Sequence, residues 1–328
     1  MQNNHYFGLL AELVDAPDLG SGPLLGVGSS PTEATINNEY MQYISYEDLS
    51  NDIRNNLYKI PSDIDLIVGI PRSGMMVASI IGLLLNKSVM SLDNFINGMD
   101  PTGGFRFGLK KPLSEMKKVL VIDDTVFFGN SMVKARNELK SVEESNQFEI
   151  LYGCVYTEGP DAKRYVDLYF VDNHKDPDNF EYTFYEWNIL HSGEGHTSTF
   201  LYDLDGVLCN EPPDENNVPA YEEYIKNAIP LFRPSSKLGG IITYRFNKYR
   251  EITEEWLRNN NIDFGFLMMI DENHPDARKV DPAAYKGAVY KESEWATLFV
   301  ESEIDQAQRI FQYSGKPVFC YRNGKLYK

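Results

Sequence analysis

With 328 residues, 42% of them hydrophobic, the chain has the length and apolar content for two ordinary domains. Its formal net charge of −17 excludes a general nucleic-acid or anionic-membrane surface, which needs clustered positive charge, so anionic substrates must be held by local devices. Cys154, Cys209 and Cys320 are odd in number and lack metal-ligand spacing, which suits a reduced cytoplasm, and the longest apolar run, around Val77 to Leu85, is too short to span a bilayer.

Residues 1–40 lack sustained periodicity and are crowded with Gly20, Gly22, Gly26, Gly28, Pro17, Pro23 and Pro31, the composition of a disordered tail. Ala11 to Ala16 and Gly28-Ser29-Ser30-Pro31 also read like the conceptual translation of a transfer-RNA gene. On that reading translation begins at Met41.

From Met41 the pattern becomes globular. Ser45 to Leu49 opens a helix with the flavour of a capping box, running towards Leu57. Asp65 to Ile70 reads as a buried strand, Pro71-Arg72-Ser73-Gly74 as its loop and Met75 to Leu85 as the next helix. Asn94 to Pro112 is a glycine-rich loop carrying Arg106, Lys110 and Lys111.

Val119 to Ile122 is an apolar run without helical spacing, bounded by Lys117 and Lys118, and so a buried parallel strand. Asp123 and Asp124 stand where it ends. Thr125 to Ser131 turn into a helix marked by Met132, Ala135 and Leu139. Paired carboxylates can accept hydrogen bonds from neighbouring ribose hydroxyls, and the helix N-terminus, with Gly129 for close approach and Ser131 as a cap, can hold a phosphate. The plain alternative is a strand-to-helix loop that happens to contain acids.

Val119 to Met132 resembles the PRPP-binding motif of the type I phosphoribosyltransferases. The resemblance implies that Asp123 and Asp124 hold the ribose hydroxyls, with Asp124 in the catalytic set, that Phe128 to Met132 form the 5-phosphate loop, and that Thr125, Gly129, Asn130 and Ser131 are among the PRPP-binding residues. Arg72, Ser73 and Gly74 match the family's pyrophosphate loop, and Asn94 to Pro112 its closing lid, with Arg106 or Lys110 supplying charge. Phe128 departs from the family's usual Thr or Ser, and Phe127 stands where some purine-salvage members place an acid.

Phe148 to Tyr156 and Tyr165 to Val171 read as further strands. The aromatic stretch Tyr182 to Trp187 reads chiefly as packing, with Tyr185 or Trp187 as the alternative base-stacking hood that the resemblance implies. His191 to Thr197 marks a linker.

A second constellation begins at the strand Thr199 to Tyr202, which runs into Asp203-Leu204-Asp205-Gly206. Carboxylates two apart at a strand end can share one phosphoryl group and one magnesium ion. This resembles motif I of the haloacid dehalogenase superfamily. The resemblance continues in order with Thr243, ending Gly240 to Thr243, and Lys286 (Lys291 is its rival) as phosphate-site residues. Glu301, in place of the usual Asp, and Asp305 then join Asp203 and Asp205 as Mg²⁺ ligands. The spacings leave no room for a large cap.

The expected fold class is therefore α/β, with two Rossmann-like parallel-sheet domains: 41–191, a linker at 192–198, and 199–328. The expected function is bifunctional: PRPP-dependent transfer to a nucleobase, and Mg²⁺-dependent phosphate-ester hydrolysis with Asp203 as nucleophile and Asp205 as general acid and base. The alternatives are a PRPP- or nucleotide-sensing domain regulating the phosphatase, and a binding module in a larger assembly. The oligomeric state, a homodimer included, stays open.

Overall fold

The computed structural model describes residues 41–101, 111–174, 182–191, 196–213, 218–273 and 281–328. The N-terminal stretch 1–40, Arg106 and Lys110 of the expected lid, and 192–195 of the expected linker lie outside the described residues. The described residues divide into two compact units, one within 44–183 and the other within 184–328 together with 41–43. The division falls within strands β1 (Met41–Ile44) and β7 (Tyr182–Tyr185), which pair with each other.

In the first unit α1 (Tyr46–Asn56) starts at a capping box, in which Asp48 N–H donates to Ser45 Oγ at 3.1 Å and Ser45 N–H to Asp48 Oδ2 at 2.9 Å. The strands are β2 (Leu66–Gly69), β3 (Ser88–Ser91), β4 (Lys118–Val126), β5 (Glu149–Thr157) and β6 (Leu168–Asp172). They form an all-parallel sheet in the order β3-β2-β4-β5-β6, the arrangement that short apolar runs separated by helices impose. The crossovers include α2 (Ser73–Leu85), α3 (Leu92–Ile96) and α4 (Asn130–Glu144). Val119 and Val121 of β4 pack with Met132, Ala135 and Leu139 of α4, all buried.

β4 is longer than its apolar run suggests. It pairs with β5 as far as Val126, so Asp123 and Asp124 lie inside the strand rather than beyond it. Ser131 is also not the cap of α4: Gly129, with φ +74°, occupies that position and Ser131 lies in the first turn. Gly129 is required twice over, by its positive φ and because a Cβ there would come within 2.3 Å of the Tyr165 ring.

The second unit contains β8 (Phe200–Tyr202), α5 (Val218–Asn227), β9 (Gly240–Phe246), α6 (Arg250–Asn259) and β10 (Leu267–Ile270). It continues with α7 (Pro282–Glu292), β11 (Leu298–Glu301), α8 (Ile304–Ser314), β12 (Val318–Cys320) and β13 (Lys325–Tyr327). The sheet order is β10-β9-β8-β11-β12-β13, parallel except for the antiparallel edge strand β13. Its core joins Leu201, Ile242, Ile270 and Phe299 to Ala307 and Ile310. Tyr185 and Trp187 are buried, with ring centroids 4.9 Å apart, as packing requires. Among the described residues no helix is long and apolar enough to cross a membrane.

Candidate functional sites

In the first unit the expected pyrophosphate loop and the acidic strand meet. Ser73 Oγ donates to Asp124 Oδ1 at 3.0 Å, and Ile70 N–H donates to Ile122 O at 3.0 Å. A Cβ on Gly74 would stand 2.6 Å from Ile122 O and 3.0 Å from Asp123 Oδ1, so only glycine lets this loop lie against the strand. Arg72 is exposed at the start of α2, while Asp123 and Asp124 are buried. Burial, and then the Asp124 charge, push the Asp123 carboxyl well above the ordinary carboxylate range, although the Asp124 N–H donates to its Oδ1 at 2.9 Å. The same burial, with Asp123 beside it, raises the Cys154 thiol. Thr125 Oγ1 is buried and, among the described residues, has no hydrogen-bond partner. Asn130 and Ser131 lie in the first turn of α4, where backbone N–H groups lack partners inside the helix.

The second site is built around Lys286 of α7. Its buried ammonium donates to Asp203 Oδ2 at 2.8 Å, Glu301 Oε2 at 2.7 Å and Gln306 Oε1 at 3.0 Å. An ammonium has three protons, and all three are directed at these groups. Burial lowers its pKa, but the two carboxylates outweigh this and raise it. Burial, followed by Glu301, raises the Asp203 carboxyl despite Lys286. The second Glu301 oxygen accepts the Ser302 and Glu303 N–H groups at 2.9 and 3.1 Å.

Asp205 faces elsewhere. Arg245, only 1% exposed, forks onto it: Nη2 donates to Oδ1 at 2.5 Å and Nε to Oδ2 at 2.9 Å. Tyr224 Oη donates to Oδ1 at 2.7 Å, and Cys209 Sγ lies 3.4 Å from it. Burial raises the Asp205 pKa, but the Arg245 charge and these hydrogen bonds prevail and hold it below the ordinary range. Acting as an acid, as the spacing suggested, would therefore require Asp205 to leave this ion pair. Thr243, buried in mid-strand rather than at a strand end, accepts the Arg245 N–H at 3.3 Å and keeps its hydroxyl proton to donate.

Of the four expected magnesium ligands, Asp203 and Glu301 come together around Lys286. Asp205 turns to Arg245. The Asp305 side chain is 78% exposed and pairs with Arg309 at 3.4 Å. Asp203 and Glu301 are thus two buried carboxylates that share the one Lys286 ammonium. Among the described residues no group of three His, Cys, Asp or Glu side chains is arranged to hold a metal. A cation would thus depend on substrate oxygens as well.

Sequence reasoning missed Arg245, Tyr224, Cys209 and Gln306. The one available signal was a charged residue inside the apolar run of β9, two positions after Thr243.

No family model matches the chain, and no curated protein matches it. Solved structures similar to part of the chain include phosphoribosyltransferases. The xanthine-guanine-hypoxanthine phosphoribosyltransferase of Helicobacter pylori is 16% identical over 45% of this chain and 94% of its own, with a TM-score of 0.33. A purine phosphoribosyltransferase from Pyrococcus horikoshii is 15% identical over 45% and 93%, with a TM-score of 0.31. The orotate phosphoribosyltransferase of Aeropyrum pernix is 17% identical over 39% and 70%, with a TM-score of 0.28. Likeness of this extent leaves the chemistry to the residues themselves.

Proposed function

We propose that the chain joins a PRPP-dependent phosphoribosyltransferase to a Mg²⁺-dependent phosphatase, both acting in nucleotide metabolism in the cytoplasm. The observation that carries the first half is the junction of Ser73 and Gly74 with Asp123 and Asp124. It supports the reading because two buried carboxylates lie against a glycine-bearing loop.

In this reading Asp123 and Asp124 accept the ribose hydroxyls, while Thr125, Gly129, Asn130 and Ser131 hold the 5-phosphate. Arg72, Ser73 and Gly74 face pyrophosphate. A nitrogen of the base bonds to the anomeric carbon as the bond to pyrophosphate breaks. The leaving group keeps the electron pair, and the base loses its proton. No residue becomes covalently attached, so the protein contributes position and charge.

For the second half, the Lys286 ammonium shared by Asp203 and Glu301 carries the reading. It orients Asp203 and favours its ionised form against the burial that opposes it, for attack on phosphorus that expels the alcohol. Water then hydrolyses the aspartyl phosphate, with Thr243 donating to a phosphoryl oxygen. Bound Mg²⁺ would offset the phosphoryl and pyrophosphate charge. Asp205 joins proton transfer after exchanging Arg245.

A second reading, in which the first unit senses PRPP or a nucleotide without turning it over, is favoured by Phe128, a large side chain 59% exposed in the phosphate loop. Pyrophosphate release from PRPP and Mg²⁺ across purines, pyrimidines and orotate separates the two. Base-dependent release lost in Asp124→Asn supports the transferase, whereas PRPP binding without release supports the sensor. Phosphate release lost in Asp203→Asn tests the phosphatase.

A further inference from the structure

Beside the Asp203 loop lies a rim that the phosphate chemistry does not use. Tyr321 directly follows β12, and its N–H donates to Glu301 O at 2.8 Å. It therefore stands two strands from β8, about 10 Å at ordinary sheet spacing. Its ring meets Phe232 at 4.9 Å and 70°. The Phe232 segment is tied to the loop: Asn210 N–H donates to Ile229 O and Leu231 N–H to Leu208 O, each at 3.0 Å. Both rings are partly exposed.

A line of polar contacts runs beside the rings. Ser302 Oγ lies 3.4 Å from both Asp205 O and Glu211 Oε1. Arg322 then bridges Glu211 at 3.0 Å and Glu303 at 2.5 Å. One guanidinium between two carboxylates leaves this rim formally negative.

We propose that the rim selects the alcohol half of the ester and makes a nucleoside monophosphate the preferred substrate, its phosphate at Asp203 and its base against Tyr321 and Phe232. This rests on the phosphate-ester reading above. Aromatic faces stack on any base, and a ribose is the spacer that carries a base away from its phosphate. A negative rim opposes a second phosphate, so sugar bisphosphates are disfavoured. The class selected is also that of the nucleotide proposed as the product of the first unit, with a nucleoside as the final product.

The test uses the full chain with Mg²⁺ and measures phosphate release from nucleoside 5′-monophosphates, ribose 5-phosphate and ribose 1,5-bisphosphate. The kcat/KM for a nucleotide should exceed that for ribose 5-phosphate by about tenfold or more, the usual worth of one stacked base. Tyr321→Ala should lower that ratio about tenfold, mainly through KM, and Tyr321→Phe should restore it. Should Tyr321→Ala fail to fold, the ratio of nucleotide to ribose 5-phosphate affinities in the Asp203→Asn chain tests the same preference: a ratio of about tenfold supports the rim and equal affinities overturn it. Equal rates for the two esters, a preference for the bisphosphate, or an equal loss for both esters in Tyr321→Ala overturns the rim while leaving the phosphatase. Absence of any Asp203-dependent phosphate release overturns both.

Discussion

The two units place acids on the same kind of scaffold, a central strand of a parallel sheet, yet neutralise them differently. In the second unit the cations are built in: Lys286 sits between Asp203 and Glu301, and Arg245 forks onto Asp205. In the first unit Asp123 and Asp124 are buried side by side, and the hydrogen bonds described for them come from Ser73 and a backbone amide. A site with internal counter-charges is preformed and depends on them for stability. In the first site burial and the neighbouring Asp124 charge raise the Asp123 carboxyl.

Substitutions can break that contrast. The largest effect expected is on chemistry in the second unit. Asp203→Asn should cut phosphate release by about a thousandfold or more, because in the proposed mechanism Asp203 is the group that forms the covalent intermediate. Lys286→Met should then lower stability by about 3–5 kcal/mol in denaturant titrations, since it leaves Asp203 and Glu301 buried without their cation. A loss below about 1 kcal/mol would show that the carboxylates do not need the built-in charge.

In the first unit Asp124→Asn should reduce base-dependent pyrophosphate release by about a hundredfold while leaving the melting temperature of the unliganded chain unchanged or raised. A clear fall in melting temperature would erase the contrast between the sites.

A smaller effect is expected with pH. The folded pKa of Asp123 is raised, so its contribution to stability is fully present below the unfolded value near 3.8 and is lost as pH rises through the folded value. Compared with wild type, Asp123→Asn should lack this component, and the difference in melting temperature between the two should grow as pH rises through that window. A constant difference would mean the pair is not mutually destabilising. The smallest effect is reserved for Asp305→Ala: with its side chain exposed and paired only to Arg309 among the contacts described, the substitution should change phosphatase rates by less than about twofold.

Much of the fold could be read in advance because buried parallel strands are continuous apolar runs: Leu66–Gly69, Val119 to Ile122 and Leu298 to Val300 appear as such in the sequence. The acids could be read for the same reason, since a charge directly after such a run has few structural uses. The length of β4 could not, because Asp123 to Val126 join it only through pairing with β5. Ser131 has the chemistry of a cap, but the chain's turn at Gly129 decides where α4 starts.

The sequence alone determined the kind of elements, their order and the positions where acids follow apolar strands, since these depend on local periodicity and residue chemistry. Only the tertiary structure decided which acid meets which cation. The β8–β9 register, pairing Tyr202 with Ile241, brings β9 alongside the Asp203 loop and lets Arg245 capture Asp205, while α7 delivers Lys286 to Asp203 and Glu301. Asp305, close in sequence to Glu301, is carried onto the exposed side of α8. Ion pairing depends on distance in space, and the residues that set those distances are 40 positions apart in Asp205 and Arg245.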